Sequence, residues 1–304
     1  MKTILRVVFS CALLQLLVAA SPSANGSASR IFLSRDHGNT WMPADVGFPA
    51  DDGVNVMAIH QKRVFAGTNT HGVWLFEKNA WSAQSSGLPG KSRVISLWSQ
   101  NNRMFAGLYR GGLYYTDNGG DSWQRFLGYP ADTNIRALTS YAGVVYAGTD
   151  NGIYRINSTA DTWERVLEGQ QINSFTVDVE HIYAATNKGV SRSRDGGNWI
   201  AIYNRGAIRR VSRCENDIMI VNYSGQVYGA SAADRPAFIQ QDYFFPRVYF
   251  QLNNISPKIF KAEWRDVSTF DRARPGLPGD VQFNTLLHTP NGLLAAAGGT
   301  GDGC

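Results

Sequence analysis

The sequence predicts an all-β fold, a seven-bladed β-propeller of four-stranded antiparallel blades. Two observations predict it: a phrase that recurs, and two chain ends that complete each other. The phrase reads Arg63-Val-Phe-Ala-Gly-Thr, then Arg103-Met-Phe-Ala-Gly, Val145-Tyr-Ala-Gly-Thr and Ile182-Tyr-Ala-Ala-Thr. Weaker echoes stand at Ile218-Met-Ile-Val-Asn and Leu293-Leu-Ala-Ala-Ala. Its aromatic residues Phe65, Phe105, Tyr146 and Tyr183 lie 40, 41 and 37 residues apart. A period near 40 residues carrying short strands is that of a propeller blade. Such a wheel serves enzymes, lectins and scaffolds alike, so the repeat fixes a fold and leaves the function open.

The first 24 residues read as an export signal. Lys2 and Arg6 give a basic start, Ile4 to Ala20 is nearly all apolar, and Val18-Ala19-Ala20 ends the run with small residues. A membrane span needs about 20 apolar residues, and no later run approaches that. An uncleaved anchor is the other reading of the same segment. The expectation is an exported chain with one propeller domain over 25–304 and no span after signal removal.

Each unit then reads as four short strands. In the unit from 54 to 90 they are Val54–Ile59, Arg63–Gly67, Gly72–Glu77 and Ala80–Gln84. The unit closes on Gly87-Leu-Pro-Gly90, a phrase echoed at Gly47-Phe-Pro, Gly128-Tyr-Pro and Gly276-Leu-Pro-Gly279. Gly and Pro suit a sharp turn that leaves a sheet edge. Further blades fall at about 91–131, 132–169, 170–204 and 205–240, with a degenerate one at about 241–279. The last stretch, 280–304, holds only two strands. The missing half stands at the other end, in Arg30-Ile-Phe-Leu-Ser34. Pairing the termini closes a ring and removes open edges. Six blades follow if 241–279 is an insertion.

A turn motif punctuates the units. Ser34-Arg-Asp-His-Gly-Asn-Thr-Trp41 is complete, and Thr116-Asp-Asn-Gly-Gly-Asp-Ser-Trp123 carries Asn118 in the acidic place. Ser193-Arg-Asp-Gly-Gly-Asn-Trp199 is one residue short, and Asp161-Thr-Trp163 keeps only the tail. An Asp or Asn side chain accepts backbone N–H groups in such a hairpin, and the Trp covers the turn. On these residues the chain resembles the Asp-box (BNR) repeat family of β-propellers, over nearly all of its mature length. That family includes sialidases, xyloglucan-cleaving glycosidases, sorting-receptor ectodomains and photosystem II stability factors. The resemblance implies boxes on outer hairpins, away from the ligand. Asp36, Trp41, Asn118, Trp123, Asp195 and Trp199 are then structural.

The chemistry available to an enzyme is thin. A sialidase needs an arginine triad and a Tyr–Glu pair, and its Arg-Ile-Pro motif is here Arg30-Ile-Phe32. The five His residues are scattered, with no metal-ligand spacing, and no cofactor motif is present. A glycoside hydrolase needs two carboxylates roughly 5–10 Å apart. Asp52, Asp132, Asp150 and Asp280 fall on the expected ligand face and supply the alternative reading, a carbohydrate-active enzyme with paired carboxylates at the channel mouth.

Charge points to binding instead. Removing the signal leaves 27 basic against 24 acidic side chains, a net charge of +3, which gives no case for nucleic acid. Yet the loops between second and third strands, and those leading into first strands, collect Arg93, Arg110, Arg136, Lys188 and Arg209, together with Tyr109 and Tyr223. The expectation is a monomeric, non-catalytic binding protein that takes a protein or glycan, with anionic groups favoured. Because strand side chains alternate, a one-residue slip in register would turn these side chains to the other face. Cys214 and Cys304 sit in non-adjacent blades, and four Asn-x-Ser/Thr sequons fall at Asn25, Asn157, Asn222 and Asn254.

Overall fold

The computed structural model describes residues 31–36, 39–128, 133–157, 162–214, 217–224, 226–231, 239–244, 283–289 and 292–297. Strands β1 (Ile31–Ser34) and β2 (Met42–Pro43) come first. Blade 1 follows as β3 (Val54–His60), β4 (Arg63–Thr68), β5 (Val73–Glu77) and β6 (Ala80–Ala83). Blade 2 is β7 (Val94–Gln100), β8 (Arg103–Leu108), β9 (Gly112–Thr116) and β10 (Gln124–Arg125). Blade 3 is β11 (Ile135–Tyr141), β12 (Val144–Thr149), β13 (Gly152–Asn157) and β14 (Thr162–Glu168). Blade 4 is β15 (Ile172–Val177), β16 (Ile182–Thr186), β17 (Gly189–Ser193) and β18 (Ile200–Tyr203). Blade 5 is β19 (Ile208–Cys214), β20 (Asp217–Asn222), β21 (Gln226–Ser231) and β22 (Ile239–Phe244), and the last strands are β23 (Phe283–Thr289) and β24 (Gly292–Ala297).

These strands form six four-stranded antiparallel sheets among the described residues. Five are consecutive meanders. The sixth has the order β2-β1-β24-β23, so the two ends of the chain share one terminal blade. Ile31 faces Ala296 and Ser34 faces Leu293 across that junction. The degenerate blade expected at about 241–279 lies, beyond β22, outside the described residues, as do Cys304 and the signal segment.

First strands pack side by side in the order β23, β3, β7, β11, β15, β19. The apolar core is therefore divided into clusters between neighbouring sheets. Phe65, Val94, Leu97 and Trp123 join blades 1 and 2, and Phe105, Leu113, Ile135 and Leu138 join blades 2 and 3. Tyr183, Val190, Ile208 and Val211 join blades 4 and 5. Each such side chain, fully buried, contributes about 1.5–3 kcal/mol.

The recurring closing phrase has a packing reason. Gly47 (φ +80°) ends the terminal blade, and a Cβ there would lie 2.4 Å from the Trp81 carbonyl oxygen of blade 1. Gly87 (φ +87°) stands in the same relation to Trp123, at 2.1 Å. The Trp81 amide donates to Val46 O at 2.7 Å, and the Trp123 amide to Ser86 O at 2.8 Å. Their indoles reach back as well, Trp81 Nε1 to Ala44 O and Trp123 Nε1 to Gln84 O, both at 2.7 Å. Each exit turn is thus clamped by the tryptophan of the following blade.

Candidate functional site

One irregularity repeats in every described blade. The first strand slips register after its first residue: Val54/Val56, Val94/Ser96, Ile135/Ala137, Ile172/Ser174, Ile208/Arg210 and Phe283/Thr285. A β-bulge adds one unpaired residue and re-aims side chains. The added residues are Asn55, Ile95, Arg136, Asn173, Arg209 and Asn284. Four of them, Asn55, Ile95, Arg136 and Asn173, line one cavity between first strands. Two of the asparagines tie blades together: Asn55 Nδ2 donates to Val94 O at 3.0 Å, and Asn173 Nδ2 to Ile208 O at 2.7 Å. That cavity, of about 520 Å³, is lined by first strands and includes Arg136 and Arg210, with no acidic side chain in its wall among the described residues. Burial, and then the neighbouring Arg209, push the Arg210 guanidinium down to about 10.

The residues singled out for binding divide by what they touch. Arg93 and Arg110 both lie over the Tyr109 ring, 5.2 and 5.6 Å from its centre. Neither side chain donates to an acceptor among the described residues, and the buried Arg93 Nε has no partner there. Arg209 lies 5.9 Å from the centre of the Tyr223 ring. Tyr109 and Tyr223 are 37% and 47% exposed, so both rings reach solvent. Lys188 is exposed in the loop between β16 and β17, where its amide donates to Thr186 Oγ1 at 3.0 Å. Arg136 differs: its Nε donates to Asp150 Oδ1, and Asn134 Nδ2 donates to the other oxygen of that carboxylate. Asn134 Oδ1 in turn accepts the Arg110 amide at 2.7 Å.

Two of the four carboxylates considered for catalysis, Asp52 and Asp150, are occupied by the protein itself. Asp150 is held as above. Asp52 is buried and accepts the amides of Gly53, Asn69, Thr70 and His71 at 2.8 to 3.2 Å. His71 Nδ1 adds a contact of 2.8 Å to Asp52 Oδ2. Burial would raise the Asp52 carboxyl, but the hydrogen bonds from Thr68, His71 and Gly53 outweigh it and keep the group below its ordinary value. Asp132 and Asp280 lie outside the described residues. Sequence reasoning counted Asp52 as a ligand-face acid; its place two residues before a first strand, opposite a short polar loop, was the signal of a loop cap.

The turn motifs lie between third and fourth strands, at the opposite end of the blades. Asp36 Oδ1 accepts from Ser34 Oγ and the Thr40 amide at 2.8 Å, and Oδ2 from Thr40 Oγ1 at 2.6 Å. The Thr40 bonds, above all, hold the Asp36 carboxyl down at about 2. Asn118 Oδ1 accepts from Thr116 Oγ1 and the Ser122 amide at 2.7 and 3.0 Å. Asp195 Oδ1 accepts the Gly197 and Asn198 amides at 2.9 and 2.7 Å, and these bonds hold its carboxyl far below the usual range. Trp41 and Trp123 are buried beside their turns. Trp199, at the end of the shortened motif, donates only to Gly196 O in its own hairpin, at 3.3 Å.

No protein-family model matches the chain, and no curated protein is significantly similar to it. Solved structures are similar in fold. YCF48 bound to D1 peptide is 16% identical with a TM-score of 0.57, over 86% of this chain and 82% of that one. The extracellular domain of BT4673 from B. thetaiotaomicron is 14% identical with a TM-score of 0.57, over 90% of this chain and 38% of that one. The WD40 beta propeller domain of Doa1 is 10% identical with a TM-score of 0.55, over 82% and 90%. The chain therefore spans well under half of the BT4673 domain, and the shared feature at these identities is the propeller architecture. Among the described residues no helix is long and apolar enough to cross a membrane.

Proposed function

We propose that the chain is an exported, non-catalytic β-propeller of the Asp-box type that captures a protein or glycan through its basic loop face. The observation that carries this reading is the arginine set on that face. Arg93 and Arg110 meet no acceptor among the described residues, and Arg209 lies over an exposed Tyr223 ring. Lys188 adds an exposed cation. The acids nearby, Asp52 and Asp150, are bound internally, so the face is left basic although the mature chain is close to neutral. Positive faces of this kind attract anionic partners and raise association rates. A similar fold carries a peptide in YCF48, and similar folds occur as extracellular domains. In this reading the degenerate unit at about 241–279 supplies a seventh blade, and the shared terminal blade closes the ring. The turn motifs on the far side act as scaffold.

The test is capture of a partner from the native compartment by wild-type protein and by an Arg93→Glu/Arg136→Glu/Arg209→Glu variant, with circular dichroism as the check on folding. Loss of capture by a folded variant is expected. Equal capture would remove the basic face as the binding surface.

A further inference from the structure

One position in the first strands breaks the repeat. In five of the six described sheets the residue after the bulge is Val56, Ser96, Ala137, Ser174 or Thr285, and each is buried. Each pairs with a small residue of the recurring phrase or its echo: Gly67, Gly107, Gly148, Ala185 or Ala296. Ser96 and Ser174 also tie neighbouring first strands. Ser96 Oγ donates to Ile135 O at 2.6 Å, and Ser174 Oγ accepts the Val211 amide at 2.8 Å. Blade 5 puts Arg210 at this position, opposite Val221. An arginine is too long for a place that fits Ser or Val. Its side chain lines the cavity between first strands, as Ala137 and Ser174 do.

Arg210 is half-buried there, and its guanidinium meets no acceptor among the described residues. Arg136, the other arginine of the wall, is already committed to Asp150. No acid lines the cavity among the described residues, so the wall carries one uncompensated positive charge. Burial, and then the adjacent Arg209, hold the Arg210 guanidinium down at about 10. That is how a cation behaves when its charged form has lost water without gaining a counter-ion.

The wall also describes the missing group. One unpaired guanidinium matches one negative charge, because a dianion would leave a second charge unpaired away from water. The planar edge of an arginine suits a carboxylate, which it holds by two parallel hydrogen bonds. Leu97, Leu138 and Phe175 supply apolar wall beside it. Thr139 and Thr176 stand two strand positions beyond the level of Arg210, about 7 Å along the strands. Their hydroxyls bond nothing else among the described residues. A cavity of about 520 Å³ has the size of a small-molecule site.

We propose that this cavity binds a small monocarboxylate with a compact apolar body, its carboxylate on Arg210 and a hydroxyl at its far end on Thr139 and Thr176. The site is independent of partner capture at the loop face.

The test titrates para-hydroxybenzoate into the full chain by calorimetry, beside benzoate, para-hydroxybenzamide and para-hydroxyphenyl phosphate. Para-hydroxybenzoate should bind, benzoate should bind several-fold more weakly, and the neutral amide should not bind. Arg210→Gln should weaken para-hydroxybenzoate by about tenfold or more, and Arg210→Lys by less. Thr139→Val/Thr176→Val should bring it to the affinity of benzoate. Arg93→Glu/Lys188→Glu, on the loop face, should leave it unchanged. Without ligand, Arg210→Gln should melt no lower than wild type, because it removes a buried charge that nothing pairs. Absence of binding to wild type, or equal binding by Arg210→Gln, overturns the proposal. So does a lower melting point of unliganded Arg210→Gln, which would give the guanidinium a structural partner. Tighter binding of the phosphate overturns it in favour of a dianion, and loss of binding in Arg93→Glu/Lys188→Glu moves the anion to the loop face. Capture by the triple reversal tests that face separately, so either reading can fail alone.

Discussion

A Cβ added to Gly148 would lie 2.5 Å from Cγ2 of Ile172, the residue that begins the inner strand of the next blade. Gly67 meets Val94 and Gly107 meets Ile135 in the same way, each at 2.6 Å. The glycine of the recurring phrase is therefore a spacer between blades, with ordinary strand geometry. Blade 4 places Ala185 there, buried in one cluster with Ile208. Gly148→Ala should destabilise by about 1–3 kcal/mol, the usual cost of overpacking. In an Ile172→Ala background that extra cost should fall but not vanish, because the methyl at 2.5 Å is gone while the Cβ of residue 172 at 2.8 Å and Phe175 at 3.0 Å remain. Denaturant midpoints for the four proteins give the coupling; additive costs would show that the spacing is set elsewhere.

The clamp between blades gives a second expectation. Trp123→Phe keeps most of the buried ring but leaves Gln84 O without its indole donor. The loss should be about 1–2 kcal/mol. Trp199→Phe removes a longer bond within one hairpin, so its cost should be clearly smaller. Thermal midpoints compare the two directly, and equal losses would deny the indole–carbonyl bond an inter-blade role.

What the sequence made legible follows from local physics. The strands read for blade 1 agree with the observed Val54–His60, Arg63–Thr68, Val73–Glu77 and Ala80–Ala83 to within a residue at each boundary. The hairpin roles of Asp36 and Asp195 were also readable, because their partners lie within four residues. The bulges were not. A bulge shifts register without altering composition, and six in equivalent places leave the period intact. Arg136 and Asp150, 14 residues apart, meet only because one follows the start of a first strand and the other directly follows the end of a second. Trp123 was read as a cover for its own turn, whereas its indole, like that of Trp81, bonds a carbonyl of the preceding blade. Long-range contacts of this kind need the blade spacing, which the repeat alone does not supply.

Acid should unfold the protein in two separable steps. His60 is buried, with Nδ1 2.8 Å from Ser99 Oγ and no partner for Nε2 among the described residues. Burial, and then the nearby Arg63, hold it below its ordinary value of 6.5. The unfolded chain thus takes up this proton first, and stability declines as pH falls below 6.5 until His60 itself is protonated. The turn carboxylates act lower. Asp36 is held at about 2 against an ordinary 3.8, so its contribution is complete above 3.8 and is lost as pH falls through 2. Asp195 acts in the same sense and at still lower pH. Asp52 and Asp178, also held below their ordinary values, add to this lower step. His60→Gln should therefore flatten the decline in stability that begins at pH 6.5 and leave the lower step in place. Asp36→Asn/Asp195→Asn should do the reverse, making the lower step shallower and leaving the upper one unchanged. Urea midpoints measured from pH 7 to 2 separate the two. A single step at pH 4 to 2 in wild type would mean that water reaches His60 and that its neutral form is not favoured by the fold.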